Sequence, residues 1–323
     1  MKTNHPVAEI SSVLQASRRV LIISHTSPDP DAYGSSCGLA LILRNGGKEV
    51  VCLNESGASE RLSFIPGVTD TRSQIPSEEF DLICVLDCGE IKRVGDSLVE
   101  FVRGIHPVLN IDHHISNDLF GDMNYVIPDA SSTSELIYDL ALSAGLALTP
   151  DAATALYFGI SGDTGSFRYS NTTAKVFATA EALVRAGARP GEISQALYSR
   201  NSKVSVQIQA AALSAMRFSA QDRCVWITVP RALADQFGAT REDTEGLVER
   251  GRDIQGVVIS VFMREEDGVW KVSMRSKDSR YNLSTLAGTF GGGGHAMAAA
   301  FRWRGSREDL AAQLEAAIDG LLA

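Results

Sequence analysis

The sequence predicts an α/β protein of two domains. The first is a parallel-sheet domain with helices on both faces, and the second is a smaller α/β domain. Three observations carry that expectation. Apolar runs without period-two alternation, such as Val20-Leu21-Ile22-Ile23, recur between Leu- and Ala-rich stretches of helical length. That is the pattern of buried parallel strands joined by crossover helices. The 323 residues exceed one typical domain and suit two cores. From residue 223 onward, long strands joined by a Glu266-Asp267-Gly268 turn replace the alternation.

Taken in order, residues 19–24 read as the first strand and residues 33–45 as a helix closed by Gly46-Gly47. Strands follow at 49–53, 80–86 and 106–111, the last two ending on Asp87 and on Asp112-His113-His114. Ser131 or Ser132 caps a helix to about residue 144, with Glu135 placed as a capping-box partner. Further helices run from Pro150 or Asp151 toward Gly162-Asp163-Thr164-Gly165, over 173–186, and after Pro190-Gly191. The expected division is a first domain over 1–200, a helical connector over 201–220, and a second domain over 221–323. Within the last, strands are expected at 223–229, 257–264, 269–275 and 296–303, and helices at 282–290 and 306–322.

The bulk numbers exclude several classes. No apolar run is long enough to span a bilayer, and the N-terminus lacks a signal peptide's apolar core. Five cysteines without framework spacing fit a reducing compartment, so a cytoplasmic location is expected. Cys84 and Cys88 read as small buried residues. A formal charge of −9 argues against a long duplex nucleic-acid footprint but not against a small phosphorylated substrate. The first strand–helix turn carries His25, Asp29 and Asp31 where a dinucleotide fold would need G-x-G-x-x-G, which disfavours a nicotinamide cofactor.

The polar residues gather at C-terminal strand ends, where open α/β sheets bind ligands. They are His25, Asp29, Asp31, Asp87, Asp112, His113, His114 and Asp163. Two carboxylates about 4 Å apart repel by roughly 4 kcal/mol at an effective dielectric near 20. A cation between them reverses the sign. Mixed Asp and His donors suit manganese, iron or cobalt, and seven or eight such residues imply two ions. Two such ions clamp a phosphoryl group and activate a water. Singly, Asp87 also suits a helix N-cap and Asp163 a turn; four such coincidences at strand ends are a poor explanation.

These residues carry a resemblance. His25-x-x-x-Asp29-x-Asp31, Asp87, Asp112-His113-His114 and Asp163 resemble the four motifs of the DHH phosphoesterase superfamily. Gly291-Gly292-Gly293-Gly294-His295 resembles the glycine-rich signature of the DHH-associated C-terminal domain. The resemblance implies an active site in the cleft between the domains and two divalent cations, most naturally Mn2+. By it, His25, Asp29 and Asp87 would hold one ion, and Asp31, Asp87, His113 and Asp163 the other. Asp87 would bridge, His114 would face the substrate phosphate, and Asp112 would orient the histidines. Catalysis would fall to Asp87, Asp112, His114 and His295.

The compact length and the stretch Asp163-Thr164-Gly165-Ser166-Phe167-Arg168-Tyr169 resemble the nanoRNase/pAp phosphatase branch. Pro30 departs from the first motif, where a small residue is usual, and should stiffen the loop without removing a ligand. Gly292, Gly293 and Gly294 would admit a phosphate to the backbone, His295 would donate to it, and Arg275 and Ser276 would grip a second. Arg168 suits substrate or solvent, and Tyr169 or Tyr281 a base or the core. The implied function is a phosphohydrolase that degrades very short single-stranded RNA and converts 3′-phosphoadenosine 5′-phosphate to AMP. Competing readings are a soluble phosphodiesterase for linear or cyclic dinucleotides and a catalytically silent nucleotide-binding regulator. A homodimer is compatible with all of them.

Overall fold

The computed structural model describes residues 3–105, 107–198 and 201–322, with the side chains of Tyr198 and His295 outside that description. The chain forms two compact units, Met1–Ser199 and Arg200–Ala323.

In the first unit, helix α1 (Val7–Ala16) precedes five strands: β1 (Arg19–Ser24), β2 (Glu49–Leu53), β3 (Leu82–Leu86), β4 (Val108–Asp112) and β5 (Met123–Val126). All pair in parallel, in the order β2-β1-β3-β4-β5. The chain leaves β1 toward one edge and returns to build the other, so the topological switch point lies between β1 and β3. The sheet is covered on both faces by α2 (Pro30–Asn45), α3 (Asp96–Arg103), α4 (Thr133–Ser143), α5 (Pro150–Asp163), α6 (Ala174–Arg185) and α7 (Pro190–Tyr198). Val20 and Ile22 of β1 pack with Leu39 of α2, Ile137 of α4 and Leu156 of α5. Leu21 and Ile23 pack with Leu98 and Val102 of α3 on the opposite face. Burial on both faces explains why these strands show no alternation. Strand β5 and helices α1 and α3 are additions to the sequence-based expectation.

The crossing of α2 and α5 positions two site-bearing segments. A Cβ built on Gly34 would lie 2.7 Å from both the Cα and N of Gly159 and 2.8 Å from the Ala155 carbonyl oxygen. Pro30 packs on Gly162 and Leu156 on Gly38 along the same seam. Backbone therefore meets backbone, which draws the start of α2, with Asp31, against the end of α5, with Asp163.

Helix α4 begins as a modified capping box. Ser132 Oγ accepts the Glu135 N–H at 3.1 Å. Glu135 Oε2 reaches one residue farther back than expected and accepts the N–H (2.8 Å) and hydroxyl (2.6 Å) of Ser131. Lys175 of α6 lies 2.8 Å from the other carboxylate oxygen. Burial raises the Glu135 carboxyl, but Lys175 and Ser131 outweigh it and hold it below the ordinary glutamate value.

The second unit comprises α8 (Lys203–Ser214), β6 (Arg217–Ser219), β7 (Cys224–Val229), α9 (Arg231–Phe237), α10 (Leu247–Arg252), β8 (Ile259–Glu266), β9 (Val269–Ser276), α11 (Leu283–Thr289), β10 (Gly293–His295), β11 (Ala298–Trp303) and α12 (Arg307–Leu322). Its sheet runs β10-β11-β9-β8-β7-β6, antiparallel except between β7 and β8. One face packs on α11 and α12 through Val261, Met274, Leu283 and Leu314. The expected connector over 201–220 is corrected here. Its helix, α8, packs Ile208 and Ala212 against Ile227 and Val229 of β7, and β6 is the sheet's last strand.

Two stability outcomes follow. Gly34→Ala should destabilise the first unit by roughly 1–3 kcal/mol through overpacking, read by chemical denaturation; an unchanged midpoint would refute the backbone contact. Glu135→Gln should cost about 1–2 kcal/mol at neutral pH. The folded carboxyl titrates below the unfolded one, so its contribution is complete above the unfolded value near 4.3. It is lost as pH falls through the folded value, and the variant and parent should converge in acid.

Candidate metal centre

The loop after β1 brings an imidazole and two carboxylates to the switch point. Asp29 caps α2: its Oδ1 accepts the N–H groups of Asp31 and Ala32, each at 3.0 Å. Its Oδ2 lies 3.9 Å from His25 Nε2. Pro30 opens the helix, where its missing N–H has no partner to lose. His25 Nδ1 is 2.9 Å from the Thr26 carbonyl oxygen. A carbonyl only accepts, so Nδ1 carries a proton; Nε2 lies 3.5 Å from Asp87 Oδ2, where it can take a second proton or a cation.

Asp87 follows β3 with φ at +55°, the left-handed region that side chains rarely adopt. Strain of this kind costs of order 1–3 kcal/mol and persists where the surroundings enforce it. Here the Asp87 N–H donates to the Ile111 carbonyl oxygen at 3.0 Å, tying the residue to the end of β4. The carboxylate is thereby aimed at the imidazoles: Oδ1 lies 3.6 Å from His113 Nε2 and 3.7 Å from His114 Nδ1.

Asp31 is fully buried at the start of α4. Its Oδ2 accepts the Thr133 N–H at 2.6 Å and its Oδ1 the Ser134 N–H at 2.9 Å, where free amides and helix dipole favour an anion. Asp163, at the end of α5, has Oδ2 3.1 Å from His113 Nε2. Two groups result, His25–Asp29–Asp87 and Asp31–His113–Asp163, each with ligand atoms within 4.8 Å of one another. Asp87 with His113 and His114 forms a third. Either of the first two offers one imidazole and two carboxylates, a donor set that fits a borderline divalent cation.

Burial and mutual charge move the members of the cluster in opposite directions. Desolvation, then the charges of Asp87 and Asp163, push the Asp31 carboxyl well above its ordinary range and raise Asp29 in the same way. Burial also works against ionised Asp87, but the His25 hydrogen bond and the charges of His113, His25 and His114 hold it below the usual carboxylate value. Desolvation opposes a charged His113; its bond to Asp163 and the charges of Asp31, Asp163 and Asp87 overcome that and lift it to about 10. The same balance leaves His25 raised against the burial of its ring.

Beside the cluster, His114 Nδ1 lies 2.7 Å from Asp112 Oδ1. Asn117 Nδ2 donates to Asp112 Oδ2 at 2.6 Å and to Asn110 Oδ1 at 2.9 Å, clamping the buried aspartate. Asn117, the amides of Thr133 and Ser134, and the Thr26 carbonyl escaped the sequence reading. Asn117, three residues past His114, is the one with a local cue.

The remaining sequence-predicted residues make local contacts of their own. Arg168 is on the first unit, its Nε donating to the Gly165 carbonyl at 2.8 Å. In the second unit, Arg275 Nε pairs with Glu249 of α10 at 3.1 Å. Ser276 Oγ donates to the Asp278 carbonyl (2.9 Å) and accepts its N–H (3.0 Å), closing a turn. A Cβ on Gly292 would sit 2.3 Å from the Ala300 oxygen, and one on Gly294, at φ +141°, 2.5 Å from the Ala298 oxygen. Those two glycines are required by the β10–β11 hairpin itself, while Gly293 has open space on its side. The side chain of His295 lies outside the described residues.

Fold and cluster together define a class of open α/β protein with a carboxylate–imidazole centre at its switch point. The profile of the DHH family, N-terminal domain, matches residues 19–160, and that of the DHHA1 domain matches residues 225–322. The chain is 32% identical over 282 residues to the bifunctional oligoribonuclease and PAP phosphatase NrnA of Bacillus subtilis (strain 168), covering 86% of this chain and 87% of that one. It is 32% identical over 302 residues to the protein of the same name from Thermus thermophilus, covering 93% and 88%. An exopolyphosphatase-related protein from Bacteroides fragilis superposes with a TM-score of 0.91 at 26% identity, over 98% of this chain and 97% of that structure. The chain belongs to the DHH family.

Replacing Asp87 by Asn should abolish stoichiometric binding of divalent metal, measured by elemental analysis after dialysis against manganese. The circular dichroism spectrum should be unchanged, because the amide is isosteric. Retention of two ions per chain would refute the bridging position.

Proposed function

We propose that this chain is a metal-dependent phosphoesterase. It hydrolyses very short oligoribonucleotides to mononucleotides and 3′-phosphoadenosine 5′-phosphate to AMP. The observation that carries the reading is the pair of His/Asp/Asp groups gathered around Asp87. Relatives named for this pair of activities, alike over most of both chains, support the substrate class. Two divalent cations, for which manganese suits the mixed donors, would supply charge neutralisation and a lowered water pKa.

The protein's own groups then have defined tasks. His25, Asp29 and Asp87 would hold one ion, and Asp31, Asp87, His113 and Asp163 would hold the other. Asp112, clamped by Asn117, fixes the His114 ring so that its far nitrogen faces a substrate oxygen. In the second unit we assign substrate phosphates to Arg275, Ser276, the Gly292–Gly293–Gly294 backbone and His295, and in the first unit to Arg168. The Ser276 hydroxyl must leave its turn to take part. No helix among the described residues is long and apolar enough to cross a membrane.

The test is a parallel incubation with manganese of a two-to-five-nucleotide RNA, 3′-phosphoadenosine 5′-phosphate, a cyclic dinucleotide and pyrophosphate. The first two should be turned over. Preference for pyrophosphate or for the cyclic dinucleotide would overturn the reading, and a chain that turns over none would be a binding regulator. His295→Ala should lower kcat/KM at least tenfold with metal content unchanged; loss of metal would contradict its assignment to substrate.

A further inference from the structure

The second unit carries a row of cations that the metal centre does not use. Strand register places Arg264 of β8 opposite Lys271 of β9, and Lys271 opposite Arg302 of β11. Three positive side chains thus stand side by side across adjacent strands, on one face of the sheet. Like charges directly opposed across a ladder are destabilising. Arg241, from the segment before β8, adds a fourth: after desolvation, its charge is the largest influence lowering Lys271. Glu266 is the carboxylate of the group, and Arg264 takes it in an ion pair. Arg264 also donates to the Arg241 carbonyl (3.0 Å) and to Thr244 Oγ1 (2.7 Å), so its head is fixed. Lys271 is half-buried and Arg302 exposed, and neither makes an ion pair among the described residues.

The row has a direction. Lys271, Ser273 and Arg275 alternate with the core residues Val272 and Met274, so all three face the same side. Ser273 and its β11 neighbour Ala300 are small, while its β8 neighbour is Phe262, so the strip between the Lys271 row and Arg275 is low on the β11 side. Four residues of strand separate the two ends, about 13 Å. That exceeds the reach of the 3′- and 5′-phosphates of one ribose, which are neighbours along an RNA chain, and suits phosphates one nucleotide farther apart.

We propose that Lys271 and Arg302, braced by Arg264 and Arg241, form a binding row for a phosphate of single-stranded oligoribonucleotide remote from the one gripped at Arg275. The inference rests on the substrate class proposed above and adds a residue set that reads substrate length. A bisphosphorylated nucleoside is too short to engage it, while an RNA of three or more nucleotides reaches it.

The test uses the full-length double variant Lys271→Gln/Arg302→Gln. Fluorescence anisotropy with a labelled five-nucleotide RNA should show affinity reduced at least tenfold. The slope of log K against log salt should become shallower by about 0.7, the change for one lost phosphate contact on a single strand. KM for that RNA should rise while kcat/KM for 3′-phosphoadenosine 5′-phosphate stays within twofold of the parent. The melting temperature should not fall, because the substitutions remove repulsion. Unchanged RNA affinity and salt slope would overturn the row, as would an equal loss on both substrates. The anisotropy measurement needs no turnover, so parental RNA binding without hydrolysis would defeat the enzyme reading while leaving the row supported. Absence of RNA binding by the parent would defeat the row whatever the chain hydrolyses.

Discussion

Four carboxylates, Asp29, Asp31, Asp87 and Asp163, converge at one sheet edge, and the first unit is arranged to hold them against their mutual repulsion. Three devices pin them. Asp29 is tied to the N–H groups that open α2, and Asp31 to those that open α4. Asp87 is held by a strained backbone laced to β4, and Asp163 by its bond to His113. Helix starts are suited to this work because their amides are unpartnered and their dipoles favour negative charge. The cluster's position at the switch point is therefore economical: it is where helices begin on both sides of one crevice.

The α2–α5 seam belongs to the same constraint. Asp31 lies one turn before Gly34, and Asp163 one turn after Gly159. The backbone contact between those glycines sets how closely the two acidic groups approach. A bulkier seam would separate Asp31 from His113 and Asp163 and divide the second donor group. Local destabilisation is thus tolerated twice, once in glycine-containing helices and once at Asp87, for a geometry whose donor groups could hold a metal ion.

Much of this was legible in the residues because the chemistry is local. His25 to Asp31 and Asp112 to His114 place several donors on single strand ends, so composition at the strand end was signal enough. The buried strands were legible for the related reason that burial on both faces removes polar residues from them. What escaped depends on long-range pairing. The amides that receive Asp31 lie about a hundred residues farther along, and no pattern near Thr133 points to them. β5, of four residues, offers too short a window for periodicity. Residues 203–214 form a helix, as their composition suggests. That the helix belongs to the second unit's core follows only from the burial of Ile208 and Ala212 beneath β7.

The glycine run shows why a motif and its physical cause need separating. The sequence invites one explanation for Gly292, Gly293 and Gly294, namely close approach of a phosphate. The hairpin supplies a different one for two of them: Gly292 and Gly294 have no room for a Cβ because β11 occupies it. Gly293 alone leaves its side open, so an argument from ligand approach rests on Gly293 while its neighbours answer to packing. The same separation applies to Arg275, which Glu249 already neutralises in part. An anion arriving there must compete with a carboxylate, whereas Lys271 and Arg302 have no ion-pair partner among the described residues. The proposed row sets Arg241, Arg264, Lys271 and Arg302 against the one carboxylate of Glu266, whereas Arg275 and Glu249 stand one to one; on that reading, selection among phosphorylated ligands depends on which can reach both.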